Sequence, residues 1–551
     1  MSDETSQFLA KGRSVKRADP WSIGAAVIAI LVLLPIAAVF YFAFFPSENI
    51  WPHLLATTLP RYAANSLILM FSVGAITASV GAGAAWLIVM YDFPMRRWLE
   101  WALLLPLAVP AYVGAFALVD FLEYAGPVQT GLRGLFGWES SRDYWFPPIR
   151  SQGAAVVVLS GALFPYVYIL ARAAFREQSG APFEVARALG AGPLGRFIRV
   201  GLPLARPAIM AGVAVVMMET VNDFGTVDFF AVQTLTTGIF SVWLQAGNLG
   251  GAAQIATCVL ALIVILVTLE KLSRRRSQFS SSARGFRPVV RTPLQGMRAA
   301  AAAIACFLPF FMGFLLPVSV LISHSLDAAD WARQGLLRAL WHTVFVGGVA
   351  ALLTVIGGVF MVYGVRISRR KLPSMLMPVT AIGYAAPGAV LGLGILVPLA
   401  AFDNWLADGI LALSSWDPGL IFTGTAAALV LAYVVRFFAI AQGAVDAAFG
   451  RISPSLPMAA RSLGQGAGGA LRRVYLPLMS ASVGSALLLV FVDAVKELPA
   501  TLLLRPFNYN TLATLVHEKA SLEKIAEAST ASLMITGVGL VAVIFLARAN
   551  R

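Results

Sequence analysis

The residues best suited to chemistry in this chain are acids set among apolar residues. The segment METVNDFGTVDFF carries Glu219, Asp223 and Asp228, and VDAVKELPATLLLRPFNYNTLAT carries Asp493, Lys496, Glu497 and Arg505. Glu219 lines up with Asp493, and Asp223 with Glu497, each 274 residues on. Within each pair the i, i+4 spacing puts both carboxylates on one helix face. Charged groups in apolar segments are costly, and they line a path or meet a partner. Facing each other across a repeat, the pairs would line a polar gap with up to four carboxylates, which suit a hard cation such as ferric iron. A second reading stays open: the acids are structural, paired with Lys496 or capping helices where the chain breaks at Gly225 and Pro499. Glu219, Asp223, Asp228, Asp493, Lys496 and Glu497 are therefore the candidate translocation-path residues.

The elements that must position these acids are long apolar runs. The chain is 59% hydrophobic and 12% charged, with mean hydropathy +0.79. Soluble domains carry about 25% charged residues, so a bilayer is the solvent that fits. A spanning helix needs about 20 mostly apolar residues. Such runs fall at 21–45, 66–90, 99–121, 153–174, 207–228 and 251–270, and again at 299–323, 341–365, 374–402, 421–441, 478–500 and 528–548. The expected fold is an all-α membrane protein of about twelve transmembrane helices. The polar opening SDETSQ and the 25-residue run from Trp21 to Phe45 read as a tail and first helix rather than a signal peptide.

The net charge of +14 follows the membrane pattern. With the tail inside, 31 of the 41 Lys and Arg fall in inner segments and nine outside: Arg61, Arg133, Arg142, Arg150, Arg333, Arg338, Arg505, Lys519 and Lys524. This asymmetry puts both termini in the cytoplasm. The basic residues form no face for nucleic acid. Cys258 and Cys306 have no zinc or redox spacing, and His53, His324, His342 and His517 are scattered, so no catalytic set, cofactor or resident metal is expected. None of the seven lysines follows a glycine, so the chain has no phosphate-binding loop of its own.

The two halves repeat. NSLILMFSVGAITASVGAGAA from Asn65 lines up with HTVFVGGVAALLTVIGGVFMV from His342, and Thr77, Gly81 and Pro110 fall on Thr354, Gly358 and Pro387, each 277 residues on. Six spans separate equivalent positions, so the repeat is parallel, two six-helix units with a path between them. This divides the chain into a tail (1–20), a first half (21–275), a basic linker (276–298) and a second half (299–551). ARALGAGPLGRFIRVGLPL (186–204) repeats as ARSLGQGAGGALRRVYLPL (460–478) within the inner connections 175–206 and 442–477. Each copy has a short helix-forming stretch, a glycine, an amphipathic turn, then Leu-Pro entering a span. Gly190 and Gly464 would permit a break that a side chain resists, and Pro203 and Pro477 fix the next helix start, making each loop a lever.

These loops resemble the EAA coupling motif of permeases in bacterial ATP-binding-cassette importers. That motif opens on Glu-Ala-Ala, places a glycine shortly after, and closes on apolar-x-Leu-Pro. Glu184, Ala186, Gly190, Leu202 and Pro203 match in the first half; Ala459, Ala460, Gly464, Leu476 and Pro477 match in the second; Arg187 and Arg461 follow the alanines. Val185 and Met458 depart from the pattern, and the lost glutamate at Met458 puts one polar contact in doubt. The resemblance implies a type I importer permease fold in the bacterial inner membrane, surrounded by lipid, with two copies of a cytoplasmic ATPase docked on these loops. KELPATLLLRPFNYNTLAT and ETVNDFGTVDFF are similar to the ferric-iron branch, the fused two-half type fed by a periplasmic iron-binding protein. Thiamine, sulfate and polyamine permeases share the architecture. A proton-driven secondary transporter would share the spans and the acids but has no use for paired coupling loops.

Overall fold

The computed structural model describes residues 20–275, 290–326, 331, 335–368, 371–380, 383, 386–414, 416–453 and 455–549. The basic tail with Lys11, Arg13, Lys16 and Arg17, and linker residues 276–289, lie outside the described residues. Strand is confined, among the described residues, to Tyr91–Asp92 paired in parallel with Thr292–Pro293. That pair brings the end of the linker back beside the first half.

Eleven described helices are long and apolar enough to cross a membrane, and up to twelve if a bent pair counts as one span. That pair, Arg96–Ala108 with Ala111–Phe136, bends by 96°. The run expected as one span at 99–121 is therefore broken. The run at 374–402 is divided too: Lys371–Thr380 is one helix, and Gly388–Ser414 is another. Both restarts follow a proline at the same repeat position, Pro110 and Pro387. Proline gives no N–H to the preceding turn and disfavours helical geometry in the residue before it. The loop expected from 442 begins later, because Ala426–Gly450 continues as one helix.

Hydrogen bonds repeat along with the sequence. Ser66 Oγ accepts from the Leu235 N–H at 3.0 Å, and Thr343 Oγ1 from the Leu512 N–H at 2.8 Å, positions 277 apart. Thr234 with Thr237, and Thr511 with Thr514, form reciprocal helix caps at the same offset. Ala231 (φ 56°) and Asn508 (φ 60°) are also equivalent left-handed residues. Since Asp223 and Glu497 are only 274 apart, the second half carries three extra residues just after its acids.

The sequence halves are not the spatial halves. Pro20–Phe44 packs on Leu249–Arg275 of its own half and, beyond it, on Leu336–Ser368, Lys371–Thr380, Gly388–Ser414 and Ala426–Gly450 of the second half. In return Gly296–Phe310 and Leu316–Ser323 pack on Leu59–Met90, Arg96–Ala102 and Ala111–Leu122 of the first. Each half thus lends its opening helix to the other. Glycines permit the close approach: a side chain on Gly394 would collide with the Pro35 carbonyl, and one on Gly313 with the Gly161 carbonyl. Small residues at helix contacts are how apolar helices associate in lipid, where burial itself supplies little drive.

Candidate functional site

The helices Leu202–Asn222 and Leu476–Val495 are equivalent, and both end in acids. Glu219, Asp223, Asp493 and Glu497 line one cavity of about 130 Å³ together with Lys496. Leu202–Asn222 has 21 residues, so it runs roughly 30 Å along its axis and carries its acids at the end away from the loop. The cavity is built by both halves. Lys496 Nζ donates to the first-half Leu107 carbonyl at 2.7 Å and stands 4.0 Å from Asp493 Oδ1.

The acids divide by role. Asp223 Oδ1 accepts from the Thr226 and Val227 N–H groups at 3.0 and 3.1 Å, and Oδ2 from the Thr226 hydroxyl at 3.0 Å. It thereby caps the short helix Gly225–Phe229. Glu497 does the same for Pro499–Leu504, accepting from the Ala500 N–H at 3.0 Å. An acid at a helix N-terminus satisfies orphan donors and meets the positive end of the helix dipole. Capping and cavity lining thus coexist at these two positions. Asp228 does not join the cavity lining; it is exposed and lies 3.9 Å from His517 of the second half.

A close, buried ion pair in the cavity involves a residue not singled out in the sequence. Arg436 lies on Ala426–Gly450, and its guanidinium meets Glu497 Oε2 at 2.7 Å, with side chains 9% and 3% exposed. Gly388 makes the room, since a side chain there would collide with both partners. Arg436 sits in an apolar run, and its repeat equivalent is Ala162, so the repeat carried no signal of it. Tyr112, Tyr166 and Asn222 also line the cavity.

The loop copies share their local structure. Ala181–Ala188 and Ser455–Ser462 are short helices. Each stops at a glycine with positive φ, Gly190 at 82° and Gly464 at 78°. The Ala191 N–H reaches Ala186 O at 2.9 Å and the Gly190 N–H reaches Arg187 O at 3.0 Å; Gln465 to Ala460 and Gly464 to Arg461 repeat this at 3.0 and 2.9 Å. That is the Schellman pattern of helix termination. Each glycine thus ends its short helix in a geometry that a side chain resists. One turn of wider π geometry follows in each copy, Phe197–Gly201 and Leu471–Tyr475, before the long helices that Pro203 and Pro477 open.

Aromatic residues tie the loops to the membrane core. Trp86 packs on Phe175, Phe183 and Phe197 with ring centroids 5.2–5.6 Å apart. Its equivalent Tyr363 packs on Phe449 and Tyr475 and donates to the Ala467 carbonyl. Outward, Leu189 and Leu463 occupy equivalent positions and are 82% and 80% exposed. Glu184, Arg187, Ala459 and Arg461 are exposed as well, whereas Ala460 is buried. A helix that shows apolar side chains to solvent beside charges is suited to a protein partner.

This fold and these paired loops define an integral-membrane transport subunit. Residues 73–278 match the family of binding-protein-dependent transport system inner membrane components. The Fe(3+)-transport system permease protein FbpB 2 of Haemophilus influenzae is 26% identical over 86% of this chain and 88% of its own. The putative ferric transport system permease protein FbpB 1 of the same organism is 23% identical over 87% of this chain and 76% of its own. The molybdenum transport system permease protein ModB of Escherichia coli is 30% identical over 40% of this chain and 98% of its own. The chain belongs to the binding-protein-dependent transport system inner membrane component family, as a fused, multi-pass permease of an ATP-binding-cassette importer. Permeases of this class work with an ATPase and a periplasmic binding protein.

Proposed function

We propose that the chain forms the membrane path by which ferric iron passes from a periplasmic iron-binding protein to the cytoplasm. Two copies of a separate ATPase drive it by gripping the short helices Ala181–Ala188 and Ser455–Ser462. The observation that carries this reading is the cavity itself, where, among the described residues, two carboxylates from each half meet two cationic side chains, Lys496 and Arg436. An excess of carboxylate in a low-dielectric site needs water or a cation. The names of two relatives, both ferric permeases, support the same substrate. Arg436 and Lys496 support a second reading, an oxyanion path, which the molybdenum and sulfate permeases among the relatives also favour. Reconstitution with the ATPase and binding protein separates the two. Labelled ferric iron is expected to accumulate and labelled sulfate or molybdate is not. Replacing Glu219, Asp223, Asp493 and Glu497 together by Asn or Gln is expected to cut ferric uptake sharply while ATP hydrolysis stays coupled to the binding protein. Normal ferric uptake by that variant would leave the acids a structural role alone.

The proposed orientation puts both termini and both short loop helices in the cytoplasm. It rests on the distribution of Lys and Arg. With Cys258 and Cys306 replaced by Ala, Arg196→Cys and Arg472→Cys are expected to resist an impermeant thiol reagent in intact cells and react in inverted vesicles. Labelling from outside would reverse the topology.

A further inference from the structure

Two buried groups in the carboxylate cavity lack a hydrogen-bond partner among the described residues. Tyr112 is 8% exposed and Asn222 6%, and both line the cavity. Neither the Tyr112 hydroxyl nor Asn222 Oδ1 has a hydrogen-bond partner among the described residues. Leaving such a group buried and unpaired costs about 1–3 kcal/mol, so native structures seldom do so unless something fills the position. What fills it must suit the chemistry of the walls. The polar groups that line the cavity are carboxylates, phenols, one amide and two cations, with no histidine or cysteine among the lining residues. Oxygen donors of this kind select hard cations.

The carboxylates do not form a cage by themselves. Among the described residues no three His, Cys, Asp or Glu side chains are grouped closely enough to hold a metal ion. Asp223 is engaged with Thr226 and Val227, and Glu497 with Arg436 and Ala500. Any oxygen site in the cavity therefore needs donors beyond the acids, and Tyr112 and Asn222 are buried in its wall without a hydrogen-bond partner among the described residues.

We propose that the Tyr112 phenol and the Asn222 amide oxygen are ligating groups of a transient ferric site in this cavity, completed by carboxylates of both halves. This rests on the ferric reading given above. Binding forms a bond between iron and the Tyr112 oxygen as the phenolic O–H breaks and its proton leaves to water; the iron is neither oxidised nor reduced. A phenolate donor raises selectivity for a trivalent over a divalent ion, and a site made of scattered, single donors releases its ion again.

The test is a titration of the purified full-length chain, in lipid nanodiscs, with ferric nitrilotriacetate. The wild type is expected to develop a visible phenolate-to-iron charge-transfer band with proton release. Tyr112→Phe is expected to lose that band and to bind iron about tenfold more weakly or worse, as removal of a ligand should. Asn222→Asp, which supplies a charged oxygen in the same place, is expected to bind several-fold more tightly, an outcome misfolding cannot mimic. A Tyr112→Phe protein that keeps both the band and the affinity overturns the proposal, as does an Asn222→Asp protein that binds no better than wild type. If Tyr112→Phe also takes up ferric iron normally while the four-carboxylate variant does not, the site fails and the ferric reading stands. If the wild type neither binds nor transports ferric iron, the ferric reading fails and the site falls with it.

Discussion

Arg436→Met is expected to destabilise the permease more than any other single change in the cavity. The guanidinium lies 2.7 Å from Glu497 Oε2, and both side chains are buried. Removing it leaves a buried carboxylate whose remaining hydrogen bond is from the Ala500 N–H. Breaking a buried pair from one side costs about 3–5 kcal/mol, chiefly for the charge left behind. The expected result is a lower melting temperature and a reduced monodisperse fraction after detergent extraction. Arg436→Met combined with Glu497→Gln is expected to recover much of the loss, because no uncompensated charge remains. The Gln amide can accept from the Ala500 N–H in place of the carboxylate. Equal melting temperatures for wild type and Arg436→Met would show that water reaches Glu497 freely and that the pair holds nothing together.

Valine at both Gly190 and Gly464 is expected to separate ATP hydrolysis from transport. Both glycines hold positive φ, and nothing lies within 4 Å of where a Cβ would stand. The penalty is thus conformational, confined to the helix stop, and leaves the membrane core alone. A side chain in left-handed geometry costs roughly 1–2 kcal/mol, more when β-branched. Two such sites together correspond to a loss of coupled uptake between about thirtyfold and several hundredfold. Asparagine, which tolerates this geometry, is expected to preserve most of the uptake at either site. The first-half substitution is expected to matter more, since that loop keeps Glu184 where the second has Met458. Uptake and phosphate release measured side by side decide the matter: undiminished uptake in the double valine variant would remove any coupling role for these stops.

Much of the site was legible because it repeats. Glu219 with Asp223 and Asp493 with Glu497 share both spacing and offset, and the structure brings all four to one cavity. Asp228 had no repeat partner, and it is the acid that lies elsewhere, beside His517. The loop segments were legible for the same reason, down to the glycine that ends each short helix. The hydrogen-bonded form of that stop was not, because a glycine in sequence signals only that positive φ is permitted. The hydrogen bonds from Ala191 to Ala186 and from Gln465 to Ala460 show it adopted and locked.

Composition, periodic apolar runs and the internal repeat by themselves determined a membrane protein of paired halves, its loop helices and the pairing of its four acids. These are patterns spread over many residues, and each residue added to the same signal. Only the tertiary structure decided that each half lends its first helix to the other. Pro20–Phe44 is apolar on every side, so no stripe in its sequence marks which neighbour it meets. Only the tertiary structure, likewise, brought Arg436 and Tyr112 to the acids. Each is a single residue from a different element, and groups so distant along the chain become neighbours only when close packing of whole helices sets their positions.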